Sequence, residues 1–114
     1  MTDETERAAK ATQYLVDTAA DIGAAKARQV RADAMLKVVK ALLMQDSAEK
    51  SAAAQEREAY AHEKYQLAID DLYEAVKDYE TLRARREAAV QRIEYWRSLN
   101  ANQRAAERGY GSAR

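Results

Sequence analysis

Proline is absent from this 114-residue chain and glycine occurs only three times, so almost nothing interrupts a helix. Relative to alanine, a proline inside a helix costs roughly 3 kcal/mol and a glycine about 1 kcal/mol. The remaining residues are mainly Ala, Glu, Lys, Arg, Gln and Leu, which all favour helices. The sequence therefore predicts an all-α protein that stays helical from near its first residue to Arg108.

Helix signals divide the chain into two long predicted helices, over about residues 3–44 and 60–108. Asp3 with Glu6, and Asp46 with Glu49, have the spacing of capping boxes. The stretch between the helices is rich in alanine and charge, and we interpret residues 45–59 as an elbow with some helicity. The prediction is one helical domain over residues 1–108, an αα-hairpin or bent coiled coil, followed by a tail over residues 109–114.

Gly109 has the character of a helix C-cap and so predicts the end of the second helix.

Upstream of Gly109, apolar residues recur at alternating spacings of three and four, which is the pattern of a helix-packing seam. After Tyr79 the same spacing reaches arginines, and an unpaired arginine is unfavourable to bury. Either the helix leaves its partner there, or the guanidinium groups meet acids or phosphates. The predicted seam consists of Leu15, Ile22, Leu36, Val39, Leu43, Tyr65, Ile69, Leu72, Val76, Tyr79, Val90 and Ile93.

Large apolar side chains are sparse, and alanines make up much of the 47% hydrophobic content. Met35, Val38 and Leu42 widen the apolar face near the end of the first helix, as in a helix with more than one neighbour. A lone chain would leave such stripes in water, at about 25 cal/mol per Å². We therefore expect a homo-oligomer or a protein partner.

The net charge is zero, but the charges are grouped in blocks. Residues 1–21 carry two basic and five acidic groups, and residues 22–45 carry five and one. Residues 46–81 carry four basic and ten acidic groups, and residues 82–114 carry eight and three. Each block dominates its surroundings within a Debye length of about 8 Å. The blocks either neutralise one another within or between chains, or the two basic blocks form a surface for a polyanion.

Enzymatic, cofactor and metal chemistry find little support in the sequence. His62 is the only histidine and has no second histidine one turn away. Asp70, Asp71, Glu74 and Asp78 form an acidic helix face without the loop or carbonyl ligands of a cation site. We predict a protein that is not an enzyme, with no cofactor, no metal and no small-molecule substrate.

Cysteine is absent, which suits a reducing cytoplasm. No apolar run approaches the roughly 18 residues that span a membrane. The N-terminal residues are acidic, unlike a secretory signal. The expected location is cytoplasmic, without a membrane partner.

The most distinctive local feature is the stretch from Arg92 to Asn100, which holds the only tryptophan beside a tyrosine and among arginines. Proteins that bind single-stranded nucleic acid use guanidinium groups for phosphates and aromatic rings for bases. Alternatively, Trp96 and Ile93 anchor a helix–helix contact while the arginines stay in solvent. In this second basic block the candidate DNA-binding residues are Arg83, Arg86, Arg92, Tyr95, Trp96, Arg97 and Arg104.

Over roughly residues 20–105 the chain resembles the UvsY-type recombination mediators of tailed phages. The order of features carries this resemblance: a basic helix over residues 24–40, an Arg-Glu element over residues 55–60, Tyr65, and the Tyr-Trp-Arg stretch at residues 95–97. The resemblance implies an oligomeric accessory protein of the bacterial host's cytoplasm that binds single-stranded DNA and helps to load a recombinase or annealing protein. Its DNA contacts would map onto Lys26, Arg28, Arg31, Lys37 and Lys40.

The main alternative is a helical protein–protein interaction module, such as a coiled-coil scaffold, chaperone or inhibitor, with no role in nucleic-acid binding. Its association would rest on apolar seams and would survive high salt, since salt screens charges and not apolar contacts.

Overall fold

The computed structural model describes the backbone of residues 3–112 and the side chains of residues 3–109. Four helices follow one another: α1 (Asp3–Asp17), α2 (Ala19–Gln45), α3 (Ala52–Ala61) and α4 (Glu63–Ser112). No strand occurs in this part of the chain, so the predicted all-α class is confirmed. The number of helices differs from the two that the sequence predicts.

The first predicted helix is interrupted at Thr18, between α1 and α2. The Thr18 hydroxyl donates to the Tyr14 carbonyl at 2.7 Å, the back-bonding that bends helices at threonine. The Arg86 guanidinium donates to the Leu15 carbonyl at 2.8 Å. In an unbroken helix that carbonyl would accept from the residue four positions on. The Arg86 side chain of α4 therefore competes with the helix's own N–H groups for a carbonyl at the break between α1 and α2.

The predicted elbow contains the start of a helix, α3, and within the elbow the chain is non-helical only over residues 46–51. Ser51 has an extended backbone (φ −95°, ψ 147°), and its hydroxyl accepts from the Ala54 N–H at 3.1 Å. It is therefore the N-cap of α3, and the predicted cap at Asp46 is wrong. The Glu49 N–H instead donates to the Ser47 hydroxyl at 3.1 Å.

One extended residue, His62 (φ −73°, ψ 142°), separates α3 from α4. Its N–H donates to the Ala59 carbonyl at 3.1 Å and so closes α3. Its Nδ1 accepts from the Lys64 N–H at 3.0 Å, as a capping side chain does at the start of a helix. The long second helix consequently begins at Glu63 and not at residue 60.

At the other end α4 runs through Gly109 to Ser112, so the predicted C-cap at Gly109 is wrong. Among the described glycines none has a positive φ, the conformation that a glycine cap adopts. The predicted tail is thus helical over residues 109–112, and residues 113–114 lie outside the described part of the chain.

The chain divides into two compact units, where the sequence predicts a single domain. Unit 1 comprises residues 1–20 and 82–114, and unit 2 comprises residues 21–81. In unit 1, contacts of Thr5 with Trp96 and of Thr18 with Arg86 show that α1 and α4 run antiparallel. In unit 2, α2 is likewise antiparallel to the chain that follows it, because Arg28 pairs with Asp78 and Lys40 with Tyr60.

Within residues 3–109 the buried side chains are all alanines. Helices that meet through alanine can approach closely, yet each alanine removes little apolar surface from water. Larger apolar residues are at most half-buried, and several are exposed. The buried alanines are Ala8, Ala11 and Ala89 in unit 1, and Ala32, Ala59 and Ala75 in unit 2.

The predicted seam residues of unit 2 are all half-buried, from Ile22 to Leu43 on α2 and from Tyr65 to Tyr79 on α4. In unit 1, Leu15 and Ile93 are half-buried as well. Val90, in contrast, is 43% exposed, and its neighbour Ala89 is buried. Within unit 1 the inward position is therefore occupied by Ala89 and not by Val90, and a place for Val90 on a seam between copies stays a prediction.

The inward face of α4 in unit 1 follows Leu82, Arg86, Ala89, Ile93, Trp96 and Asn100, which are buried or half-buried. This register keeps the three–four alternation and directs Arg83 and Arg97 to solvent. The spacing in the sequence places Arg83, Arg86 and Arg97 on the seam, and of these only Arg86 lies there.

Candidate nucleic-acid interface

Two cations of the first basic block, Arg28 and Lys40, contact carboxylates of their own unit. Arg28 of α2 contacts two acids on α4, Asp78 at 2.7 Å and Asp71 at 3.3 Å. The two hydrogen bonds, first to Asp71 and then to Asp78, raise the pKa of Arg28. The guanidinium group is therefore engaged on both of its terminal nitrogens, and a phosphate would have to displace these carboxylates.

Lys40 is held at the junction of α2 and α3. Its Nζ donates to the Tyr60 hydroxyl at 2.9 Å, lies 3.2 Å from a Glu56 carboxylate oxygen, and sits 4.8 Å from the centre of the Tyr60 ring. Hydrogen bonding to Tyr60, and next to Glu56, raises the pKa of Lys40. The same lysine lowers the pKa of Glu56. The Tyr60 ring in turn packs edge to face against the Tyr65 ring, with 5.2 Å between the ring centres.

The other predicted DNA contacts of this block are divided. Lys26 lies over the Tyr79 ring, with its Nζ 4.9 Å from the ring centre. Arg31 and Lys37 are exposed, and the described residues provide neither with a hydrogen bond or ion pair. Three of the five cations in this block thus have partners within unit 2.

Several residues of the predicted second basic block are also engaged locally. Arg83 lies 3.4 Å from Glu87, and Arg97 lies 3.1 Å from Glu94, one helical turn away in each case. Arg104 donates to the Asn100 carbonyl at 3.4 Å. Such exposed contacts within one helix are weak, typically below about 1 kcal/mol, and a stronger anion could break them.

The two aromatic residues of this block, Tyr95 and Trp96, lie on different faces of α4. Trp96 is half-buried, and its indole N–H donates to the Thr5 hydroxyl of α1 at 3.2 Å. Tyr95 is 55% exposed. Trp96 therefore belongs to the helix–helix contact of unit 1, and Tyr95 is the ring that solvent can reach.

A basic groove lies between α1 and α4 of unit 1, with a volume of about 420 Å³. Arg7, Lys10 and Tyr14 line it from α1, and Arg85 and Arg92 line it from α4. Its floor is made of three alanines: Ala11, Ala88 and Ala89. A neighbouring groove of about 440 Å³ shares Arg7 and Arg92 and adds Glu4, Gln91 and Tyr95.

The cations of the basic groove are less engaged than Arg28 and Lys40 of unit 2. Within the described residues no hydrogen bond or ion pair involves the side chains of Lys10, Arg85 or Arg92. Arg7 contacts Glu4 at 2.8 Å, a pair of the exposed type. No carboxylate lines the basic groove in the part of the chain that the structure describes. The groove can therefore bind an anion without first breaking a strong internal ion pair.

Four residues of this groove, Arg7, Lys10, Tyr14 and Arg85, are absent from the predicted DNA-binding set. A signal for them exists in the sequence, because Arg7, Lys10 and Tyr14 follow one helix face and Arg85 and Arg92 are seven residues apart. The net negative charge of residues 1–21 masked this signal, although the carboxylates that give that charge stand at other positions in the block. Arg92 is the one predicted contact that lines the basic groove.

Two other polar features of the sequence have partners within unit 2. Asp71 and Asp78 are engaged by Arg28, and His62 caps α4. Among the described residues no group of three or more His, Asp or Glu side chains is arranged to hold a metal ion. None of the described helices is both long enough and apolar enough to cross a membrane. The basic groove is the strongest candidate for a binding site.

Comparison with known proteins returns no match: no family model, no curated protein and no solved structure matches this chain.

Proposed function

We propose that this protein is a non-enzymatic accessory factor of phage-type DNA recombination or replication, which binds single-stranded DNA and assists the loading of a recombinase or annealing protein. The basic groove of unit 1 carries the proposal. Four cationic side chains converge there on a floor of alanines, and three of them have no hydrogen bond or ion pair among the described residues.

The chemistry of the groove favours a flexible strand with accessible bases. Arginine and lysine contact phosphates, and exposed aromatic rings stack on bases at about 1–3 kcal/mol per base. Tyr14 lines the basic groove and Tyr95 the neighbouring one, so both kinds of group are present along one side of unit 1. Bases paired inside a duplex would not expose the faces that such rings stack against.

We further propose that the chain folds as an αα-hairpin and works as a homo-oligomer. The support is the buried core, which consists of alanines among the described residues, together with exposed large apolar side chains such as Leu42, Leu67 and Tyr73. Association would cover part of this surface, and several copies would line up several basic grooves along one strand.

The test is a fluorescence anisotropy titration of a labelled oligonucleotide with wild-type protein and two double variants. Arg85→Glu/Arg92→Glu reverses two cations of the basic groove. Lys50→Glu/Lys64→Glu makes the same change in net charge in unit 2, at exposed residues that lie outside the predicted DNA-binding set and have no ion-pair partner among the described residues. The second variant is the matched control.

We expect the groove variant to lose roughly 100-fold or more in affinity at low salt, and the control less than about threefold, because phosphate contacts are local. Wild-type affinity should fall steeply with salt as bound phosphates release counterions. Equal losses in the two variants would remove the groove from the proposal. Absence of wild-type binding at low salt would remove DNA binding altogether.

A second candidate function is a helical protein–protein module that binds no nucleic acid. The internal pairing of Arg28 and Lys40 favours it, because cations that are paired with acids of their own unit offer less to a polyanion. This function predicts a flat anisotropy titration together with self-association that persists at high salt.

A further inference from the structure

We infer that α2 carries a self-complementary surface through which two copies of this chain pair in an antiparallel, two-fold arrangement. An apolar stripe lies at its centre, formed by Met35, Val38 and Leu42 at spacings of three and four. Met35 is half-buried, whereas Val38 is 44% and Leu42 54% exposed. The inner seam of α2 runs through other residues, so this stripe is a second face that unit 2 does not cover.

The charges at the two ends of the stripe indicate a second copy as its occupant. Arg31 lies one turn before Met35, and Asp46 lies one turn after Leu42. The helical winding continues to Asp46, whose N–H donates to the Leu42 carbonyl at 3.1 Å. Neither the Arg31 nor the Asp46 side chain has a hydrogen-bond or ion-pair partner among the described residues.

Arg31 and Asp46 are equally far along the chain from the midpoint between Val38 and Val39. A two-fold axis at that midpoint sets Arg31 opposite Asp46 of the second copy, and it does so twice. The same axis sets Met35 opposite Leu42 of the second copy and brings the two Val38 side chains close to the axis. The ion pairs would be about 22 Å apart along the helix, at a rise of 1.5 Å per residue. A parallel pairing would instead oppose like charges.

The adjoining face of α4 extends the apolar surface. Leu67, which is 59% exposed, lies one turn before Asp71, the acid that Arg28 contacts. Arg28 lies seven residues before Met35 on the same face of α2. Leu67 and the stripe therefore lie on the same side of unit 2. A surface that is its own complement is what a two-fold dimer requires.

This inference rests on the self-association proposed above and is independent of DNA binding, since it uses no residue of the basic groove. The test is sedimentation equilibrium of the full chain without DNA, with circular dichroism to verify helicity. Val38→Asp places a charge in the stripe, and Val30→Asp is its matched control. Val30 is 58% exposed on the same helix but lies outside the stripe.

We expect Val38→Asp to weaken the dimer at least tenfold and Val30→Asp to leave it unchanged. Arg31→Glu and Asp46→Arg should each weaken it, and the two together should restore it, because the ion pairs re-form with their signs exchanged. Equal behaviour of the two valine variants, absence of rescue in the charge exchange, or a wild type that stays monomeric would each overturn the inference. A groove variant that loses DNA and keeps the dimer separates the two proposals.

Discussion

Among the described residues the buried side chains of units 1 and 2 are all alanines, yet the two units differ in how their cations are paired across helices. Unit 2 pairs Arg28 and Lys40 of the first basic block with carboxylates of other helices, while Arg31 and Lys37 of the same block have no partner among the described residues. Unit 1 contains part of the acidic N-terminal block and still presents Lys10, Arg85 and Arg92 without partners among the described residues. The lesson is that the charge of a segment does not tell which cations are available, because pairing across helices decides that.

The largest expected effect is the difference in stability between two alanine-to-leucine variants, one in each unit. Ala75 in unit 2 is 1% exposed, whereas Ala89 in unit 1 is 8% exposed and borders the basic groove. We expect Ala75→Leu to destabilise the protein by up to about 3 kcal/mol, because a close helix contact has no room for the larger side chain. Ala89→Leu should cost less than about 1 kcal/mol, since its side chain can extend into the groove. Urea unfolding followed by circular dichroism measures both.

Equal costs for the two leucine variants would contradict this difference between the units and would mean that the helices of unit 1 are as closely constrained at Ala89 as those of unit 2 at Ala75.

The next effect concerns the break between α1 and α2. Arg86→Ala removes the guanidinium group that donates to the Leu15 carbonyl at 2.8 Å and to the Thr18 hydroxyl at 2.5 Å. A hydrogen bond from a charged donor contributes about 2 kcal/mol, and we expect a loss of that order. Trp96 is the only tryptophan and lies in unit 1, so its fluorescence during denaturant unfolding reports this unit.

Arg83→Ala is the control for Arg86→Ala, since Arg83 is exposed and contacts Glu87 of its own helix. Its cost should stay below about 0.5 kcal/mol, as for most surface substitutions. If the two arginine variants were equally stable, Arg86 would not hold α1 against α4.

The smallest effect is a pH dependence confined to unit 2. Lys40 lowers the pKa of Glu56 from its usual value near 4.5, so the charged carboxylate stabilises the folded state at higher pH. That contribution is lost as the pH falls through the lowered pKa. Glu56→Gln should therefore lower the melting temperature near neutral pH by no more than a few degrees, and the difference from wild type should vanish in acid.

The pH dependence contributed by Lys40, the partner of Glu56, has the opposite sign. The pKa of Lys40 is raised above its usual 10.5, so its stabilisation is complete below that value and is lost as the pH rises through the raised pKa. Melting curves of wild type and Glu56→Gln across the acid range measure the first effect. A difference that grows toward low pH would contradict the assigned sign.

Parts of the candidate site could have been found in the sequence. The three–four spacing that defines the seams also places Arg7, Lys10 and Tyr14 on one face, and Arg85 and Arg92 on another. What the spacing cannot tell is that these two faces border one groove. That depends on how α1 is rotated against α4, and the register there differs by one residue from the predicted one, with Ala89 inside in place of Val90.

By itself the sequence determined the helical class and the side of each helix in unit 2 that turns inward, because helix propensity and apolar spacing are local properties of consecutive residues. Only the tertiary structure decided the breaks at Thr18 and His62, the inward turn of Trp96, and which cations are neutralised. The break at Thr18, the inward turn of Trp96 and the ion pair of Arg28 each depend on a partner that is distant in the chain. The break at His62 depends on its contacts with Ala59 and Lys64. Periodicity along one helix carries no record of such partners.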